Sequence, residues 1–212
     1  MGFGTKSKCS DGPADNEAAV QVKGLLKLAY ALGASHAAMI APHEIMVEDR
    51  LADICANGRC ENYGLSPGCP PHVSGPVGFR ELQRKAGYAI VFRMTASART
   101  LFSDECTTLM RRLQEVAAKI EKAAVRGGYR ESRAFAGGSC KKLFCHDQAD
   151  CAVLSQSGEC RYPDQARPSM SGFGINVCEL MKRCGWPSDI RPHDGEADAD
   201  TTSWVAGMVL II

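Results

Sequence analysis

The stretch CKKLFCHDQADC (140–151), continued to residue 160, places four cysteines within 21 residues. A glycine pair at 137–138 leads into it, and the segment CRYP (160–163) leads out of it. A thiolate is the softest ligand that a protein offers, and four thiolates on short loops suit an iron–sulfur cluster or a zinc ion. We therefore expect the sulfurs of this stretch to converge on a metal cofactor. The candidate ligands are Cys140, Cys145, Cys151 and Cys160.

The spacing of these cysteines bears on which cofactor they hold. Successive cysteines are separated by four, five and eight residues, and C-x2-C occurs nowhere in the chain. Most structural zinc sites use two pairs of cysteines with two to four intervening residues. The spacing therefore favours an iron–sulfur cluster, with zinc as the alternative.

A second set of cysteines lies upstream, and it has only three members. Cys55, Cys60 and Cys69 fall in a loop rich in Asn, Gly and Pro, and a Pro-Pro pair follows. Three thiolates leave one iron of a cluster without a cysteine ligand, so that a histidine, carboxylate, solvent molecule or substrate would complete it. His72 and Cys106 are the candidate side chains. An open iron is also where a substrate would bind.

Composition bounds the environment of the chain. With 11 cysteines in 212 residues, an odd count, and no amino-terminal segment of the secretory type, we expect a reducing cytoplasm rather than disulfides. A formal net charge of +1 gives no reason to expect nucleic acid or an anionic membrane as a partner. The longest apolar run, at 204–212, is too short to span a bilayer.

Hydrophobic periodicity predicts alternating helices and strands. We expect an α/β or α+β fold with a mixed sheet of four or five strands, flanking helices and two cysteine-rich cofactor loops. Residues 1–15, which include Cys9, are predicted to be a flexible arm, and 16–212 a single metal-binding domain. Cys178 and Cys184, at the helix predicted for 176–183, are expected to pack in the core of the protein. The predicted helices are 17–32, 48–56, 78–86, 104–126 and 176–183, and the predicted strands are 36–41, 88–94, 132–136 and 202–212.

Six motifs resemble those of an uncharacterised prokaryotic family of predicted metal-binding proteins, a domain of unknown function common in anaerobes. They are CENYG (60–64), CPP (69–71), GGSC (137–140), CRYP (160–163), RPSM (167–170) and GINV (174–177). The resemblance runs from about residue 25 to the end. It implies cysteine-bound metal, one or two [4Fe-4S] clusters, in a cytoplasmic protein, and it implies no reaction. Members often have C-x2-C steps after the glycine pair, whereas the steps to Cys145 and Cys151 are longer here.

Three functions are compatible with these patterns. The leading hypothesis is a carrier of single electrons, with a ferredoxin or an oxidoreductase as its redox partner. The second is an enzyme that uses an open iron at Cys55, Cys60 and Cys69 to bind or reduce a small substrate. The third is a zinc protein in which both loops are structural.

Overall fold

The computed structural model of the chain describes residues 13–188 and 202–212. Residues 1–12 of the predicted arm, with Cys9, lie outside the described residues. The helices are α1 (Pro13–Ala31), α2 (Asp49–Ile54), α3 (Gly75–Lys85), α4 (Ala98–Leu101), α5 (Glu105–Arg126), α6 (Cys140–Phe144) and α7 (Val177–Arg183). The strands are β1 (His36–Ile40), β2 (Tyr88–Ser97), β3 (Arg133–Ala136) and β4 (Thr202–Ile211). No helix in the described parts of the chain is both long and apolar enough to cross a bilayer.

The four strands form one open sheet in the order β1-β2-β4-β3. This confirms the α/β class and the expected strand number, but all three pairings are antiparallel rather than mixed. β2 and β4 occupy the centre and pair along their whole length, from Tyr88 opposite Ile211 to Ser97 opposite Thr202. Central strands are covered on both faces, which explains the continuous apolar runs in their sequences.

Each face of the sheet carries its own apolar cluster. Ile90 and Phe92 of β2 point to the face that α1 and α5 cover, whereas Ala89 and Val91 point to the face covered by α3 and α7. The alternation is that of an extended strand with a period of two residues. The helices therefore sandwich the sheet, as expected from the sequence.

Most helix boundaries agree with the sequence pattern to within a few residues. α5 begins at Glu105, after the turn at Asp104, and ends before Gly127, as its apolar periodicity predicts. α1 begins at Pro13 rather than at residue 17, because proline is tolerated in the first turn of a helix. No separate pattern in the sequence predicts the short helices α4 and α6.

The end of β3 fixes the start of the main cysteine loop. The backbone N–H of Gly137 donates to the carbonyl of Ala206 at 3.2 Å, and Ala136 donates to the carbonyl of Pro168 at 3.1 Å. The chain thus leaves the sheet at residue 137, passes through all four cysteines, and returns beside the same strand at 168. Ser169 then donates to the carbonyl of Gly68 at 3.0 Å, which joins the two cysteine loops.

Candidate metal centre

The structure brings the four cysteines of the main loop to the wall of one small cavity. Its free volume is ≈ 30 Å³, so the thiols and the aromatic rings beside them are close-packed. Phe144 and Tyr162 stack in the same wall, with ring centroids 5.3 Å apart. We name this cavity the small cavity; its cysteines are Cys140, Cys145, Cys151 and Cys160.

Burial raises the pKa values of two thiols in the small cavity, and nearby polar or positively charged groups partly lower them. Burial raises the pKa of Cys140, and the hydroxyl of Ser66 partly opposes that rise. Burial also raises the pKa of Cys145, whereas the cations of Arg161 and Lys141 lower it. Lys141 additionally donates to the carbonyls of Cys145 at 2.8 Å and Gln148 at 2.6 Å. Positive charge that would favour bound thiolates is therefore already present beside this cavity.

The main loop is held against α5 by polar side chains. Arg111 donates to the carbonyl of Leu143, at the end of α6, at 3.0 Å from Nε and 2.5 Å from Nη2. Gln114, which is fully buried, donates to the carbonyl of Gly137 at 3.0 Å and accepts from the backbone N–H of Arg167 at 2.6 Å. One glutamine thus joins the entry and the exit of the loop.

The second cysteine set lines a much larger cavity of ≈ 780 Å³, which we name the large cavity. This volume lies within the range of about 300–1,000 Å³ that is typical of small-molecule sites. Burial raises the pKa of Cys55, and the neighbouring thiols of Cys60 and Cys69 raise it further. A fourth cysteine, Cys178, also lies in the wall of this cavity.

Local backbone geometry explains how Cys55 and Cys60 reach the same cavity. α2 carries Cys55 at its end and continues into an irregular wide turn (Cys55–Arg59). Gly58 in that turn has a φ of +70°, which a glycine adopts at little cost. The chain leaves the helical path at Asn57 and Gly58 and is extended at Cys60, which lines the large cavity with Cys55.

The loop 66–69 lies between the two cavities. Ser66 lines the small cavity, and Cys69 lines the large one. A side chain at Gly68 would stand 3.8 Å from Sγ of Cys140 and 3.3 Å from Cα of Pro168. Cys69 is also close enough to raise the pKa of Cys140. The two cysteine groups are therefore immediate neighbours.

The two side chains expected to complete the three-cysteine set lie elsewhere. His72 is exposed, and its Nε2 lies 3.3 Å from the carbonyl oxygen of Gly64. Cys106 lies near the start of α5, close to Lys142, which forms an ion pair with Glu61. Neither residue lines the large cavity.

Cys178 in the first turn of α7 and Cys184 just after its last residue lie in different surroundings. Cys184 packs against the apolar cluster on the α3 and α7 face, as its sequence position predicts. The prediction that Cys178 packs in the core is wrong, because its side chain lies in the wall of the large cavity. Residues six apart on a helix point in different directions, so the sequence could separate the two but could not show a cavity beside one of them.

Two buried serine hydroxyls indicate whether these cavities are suited to an inorganic cofactor. Ser66, with no exposure, and Ser139, at 5% exposure, each have an Oγ that makes no hydrogen bond of normal geometry, although the Oγ of Ser66 is close enough to the thiol of Cys140 to lower the pKa of that thiol. Ser66 lines the small cavity and Ser139 the large one. Buried hydroxyls without partners are rare in proteins, and cluster sulfides accept such hydrogen bonds. The donor sets and the unpaired hydroxyls both fit a sulfur-rich cofactor.

The cysteines are not arranged for a single ion in this structure. Within residues 13–188 and 202–212, no group of three or more His, Cys, Asp or Glu side chains converges closely enough to hold one metal ion. The ten cysteines in these ranges are all free thiols. The grouping of the thiols is therefore defined by the cavity that each one lines.

Comparison with known proteins gives one match. A family model described as "Predicted metal-binding protein (DUF2284)" matches residues 38–211. The matched range includes all of the cysteines in both cavities. No curated protein and no solved structure matches the chain.

Proposed function

The chain belongs to the family of predicted metal-binding proteins (DUF2284), and from this premise we propose that it is a cytoplasmic iron–sulfur protein that transfers single electrons. The small cavity and the large cavity would each hold a [4Fe-4S] cluster. A cluster bound there would supply a one-electron couple. The observation that carries the proposal is that Cys140, Cys145, Cys151 and Cys160 all lie in the wall of one small cavity.

The chemistry of the small cavity supports an iron–sulfur cluster. Four thiols line it together without a histidine or carboxylate among its described lining residues, and Arg161 and Lys141 provide positive charge near Cys145. These cations would offset the negative charge of a thiolate-bound cluster. The hydroxyl of Ser66 would donate a hydrogen bond to a sulfur, which is one of the ways a protein tunes a reduction potential.

The proximity of the two cavities favours electron transfer between their cofactors rather than two metal sites with unrelated roles. The loop 66–69 contributes Ser66 to the small cavity and Cys69 to the large one, and the consecutive residues Cys140 and Ser139 are divided between them in the same way. An electron that entered at one site would have a short path to the other. A ferredoxin or an oxidoreductase would be the redox partner at the surface.

A specific observation favours a second candidate function, an enzyme. The large cavity, at ≈ 780 Å³, has room for a small molecule beside its cysteines. If one iron at Cys55, Cys60 and Cys69 lacked a protein ligand, a substrate could bind it in that space. Electron paramagnetic resonance (EPR) spectra of the reduced protein that shift on addition of a small molecule would favour this function over simple electron transfer.

Anaerobic purification followed by iron, sulfide and zinc analysis tests the proposal. We expect a brown protein with about eight irons and eight sulfides per chain, as for two [4Fe-4S] clusters. Cys151→Ala should empty the small cavity and leave about four irons per chain, and Cys184→Ala, a core cysteine outside both cavities, is the control. A colourless protein that contains zinc would contradict the proposal. Full iron content in Cys151→Ala would contradict the grouping of the ligands.

A further inference from the structure

We propose that Cys178 is the fourth thiolate ligand of the large cavity and completes a four-cysteine site with Cys55, Cys60 and Cys69. The inference rests on the proposed function, because it assigns a ligand to one of the two metal sites. It also bears on the choice between the two candidate functions, since a fourth cysteine leaves no iron open to substrate. Its physical basis lies in the backbone that positions Cys55 and Cys178.

One hydrogen-bonded frame holds the elements that carry Cys55 and Cys178. The backbone N–H of Asn176 donates to the carbonyl of Met46 at 2.9 Å, and that of Glu48 donates to the carbonyl of Gly174 at 2.8 Å. α2 begins one residue after Glu48 and delivers Cys55, while α7 begins one residue after Asn176 and delivers Cys178. The two thiols therefore occupy positions fixed by the same pair of backbone segments.

The side chain of Asn176 strengthens this frame from both ends. Its Oδ1 accepts from the backbone N–H of Glu179 at 3.0 Å, which caps the first turn of α7. Its Nδ2 donates to the carboxylate of Glu48. The orientation of the first turn, and hence of Cys178, is therefore tied to the residue that precedes α2.

Cys69 is joined to the same region through a close contact between loops. Gly172 packs so tightly against Pro70 that a Cβ there would stand 2.9 Å from the proline Cδ. Ser169 donates to the carbonyl of Gly68. The segment 168–178 thus contacts the residues on both sides of Cys69 and the residues that precede α2, and it ends at Cys178 in the wall of the cavity.

A second observation in the same cavity points to a ligand. Ser139 precedes α6, but its hydroxyl does not cap that helix and has no hydrogen-bond partner. The residue is 5% exposed and lies in the wall of the large cavity with Cys178. A buried donor in the same cavity wall as four cysteines is suited to a sulfur atom of a bound cluster. The four cysteines would ligate iron, and this hydroxyl would donate a hydrogen bond to a sulfur of the same cluster.

Anaerobic reconstitution with ferrous iron and sulfide tests the assignment. Wild type, Cys178→Ala and two controls, Cys184→Ala and Cys106→Ala, are compared by iron content and by EPR spectra of the reduced proteins. We expect Cys178→Ala to lose between one and about four irons per chain and to alter the signal of one cluster, while both controls match wild type. Wild-type iron content and spectrum in Cys178→Ala would overturn the assignment.

The same series distinguishes failure of the assignment from failure of the proposed function. If wild type takes up no iron but binds zinc, the iron–sulfur proposal fails, and the ligand role is read from the zinc content of the variants. Loss of one zinc in Cys178→Ala alone supports the ligand role, and unchanged zinc overturns it. A wild type that binds neither metal overturns both proposals. If Cys178→Ala does not fold by circular dichroism, Cys178→Ser takes its place, with the same expected loss or spectral change.

Discussion

At the scale of single residues, Gln114 shows how a polar side chain inside the core organises the site. It lies on the buried face of α5 among apolar neighbours, yet both ends of its amide are satisfied by the backbone of the main loop. A buried amide without partners would destabilise the fold, so the two hydrogen bonds and the burial are consistent with each other. Gln114 therefore joins residues 137 and 167 as a cross-link of the loop.

Removing this cross-link is expected to destabilise the protein. Gln114→Leu leaves the half-buried carbonyl of Gly137 and the half-buried N–H of Arg167 without these partners, at a cost of about 1–3 kcal/mol for each group. We expect the free energy of unfolding in urea to fall by roughly 2–6 kcal/mol. Gln21→Leu, the same change at an exposed position of α1, is the control and should have little effect. Equal stabilities of the two variants would contradict the role of Gln114.

The thiol of Cys184 should be unreactive in the folded protein. Burial, followed by the charge of Glu44, raises its pKa to about 11, against the opposing effect of Arg93. At pH 8 its thiolate fraction is then roughly 100-fold lower than in the unfolded chain, because a shift of two units changes that fraction a hundredfold. Alkylation of Cys184, followed by mass spectrometry, should be slower in native protein than in urea by at least that factor. Equal rates would contradict the burial of this thiol.

The same shift gives the pH dependence of stability a definite sign. The folded chain holds the Cys184 proton to higher pH than the unfolded chain does, so unfolding releases a proton between about pH 9 and pH 11. The contribution of this thiol to stability is therefore complete below about pH 9 and declines as the pH rises toward 11. Cys184→Ala should show a weaker loss of stability than wild type over that interval, measured by urea unfolding.

The candidate ligands were predictable from the sequence to different degrees. Cys140, Cys145, Cys151 and Cys160 lie in one short loop, so their proximity follows from chain connectivity. Cys178 is far from Cys55 along the chain, and only the tertiary contacts of the segment 168–178 bring it to the same cavity. The burial of Gln114 was not predictable either, because a polar residue on a helix is ordinarily exposed and its partners are brought to it only by tertiary contacts.

At the scale of elements, the cap of α7 connects local helix stability to the position of Cys178. The Asn176 side chain both caps the helix and donates to Glu48. Asn176→Ala should lower the free energy of unfolding by about 1 kcal/mol, the typical effect of losing an N-cap. Asn176→Ser keeps a capping oxygen and should retain most of that stability, which makes it the matched control in urea unfolding. Identical losses in both variants would show that the cap does not contribute.

The main cysteine loop is the element most affected by metal in our proposal. Between α6 and residue 169 the described chain forms turns and bends without a regular helix or strand, and the small cavity leaves only ≈ 30 Å³ of free volume. A cluster must therefore spread the four thiols and then hold them in place. We expect amide hydrogen exchange in 145–166 to slow when iron and sulfide are bound, while exchange in α5 changes little. Unchanged exchange in the loop of an iron-loaded protein would contradict a cofactor in the small cavity.

Boundaries of the regular elements followed closely from hydrophobic periodicity, but the pairing of the strands did not. The segments 36–41, 88–94, 132–136 and 202–212 were each predicted as strands, because buried strands have dense apolar runs. Their direction depends on how the intervening helices return the chain, which periodicity does not encode. The wholly antiparallel order β1-β2-β4-β3 therefore emerged only from the structure.

At the scale of the whole molecule, the cysteines that line the cavities lie outside the apolar clusters of the core, although Ile175 belongs to one cluster and also lines the large cavity. In the described chain, the two apolar clusters on the faces of the sheet contain none of the eight cysteines that line the cavities. The clusters contain instead residues such as Phe92 and Phe135, both essentially unexposed. The hydrophobic effect can therefore stabilise the sheet and helices without a metal, unlike a small zinc domain that is unfolded without its ion.

This separation predicts how the protein responds to metal removal. Metal-free protein, prepared with a chelator under anaerobic conditions, should keep its far-ultraviolet circular dichroism and unfold cooperatively in urea. Metal that binds only the folded state adds about 2.7 kcal/mol at a free concentration of one hundred times its dissociation constant, so the urea midpoint should rise on reloading. Phe135→Ala, a core change expected to cost about 3–5 kcal/mol, should lower the midpoint in both metal-free and loaded protein. If the chelator alone unfolds the wild type, the core is not sufficient, and the cofactor loops must be counted as part of what holds the sheet together.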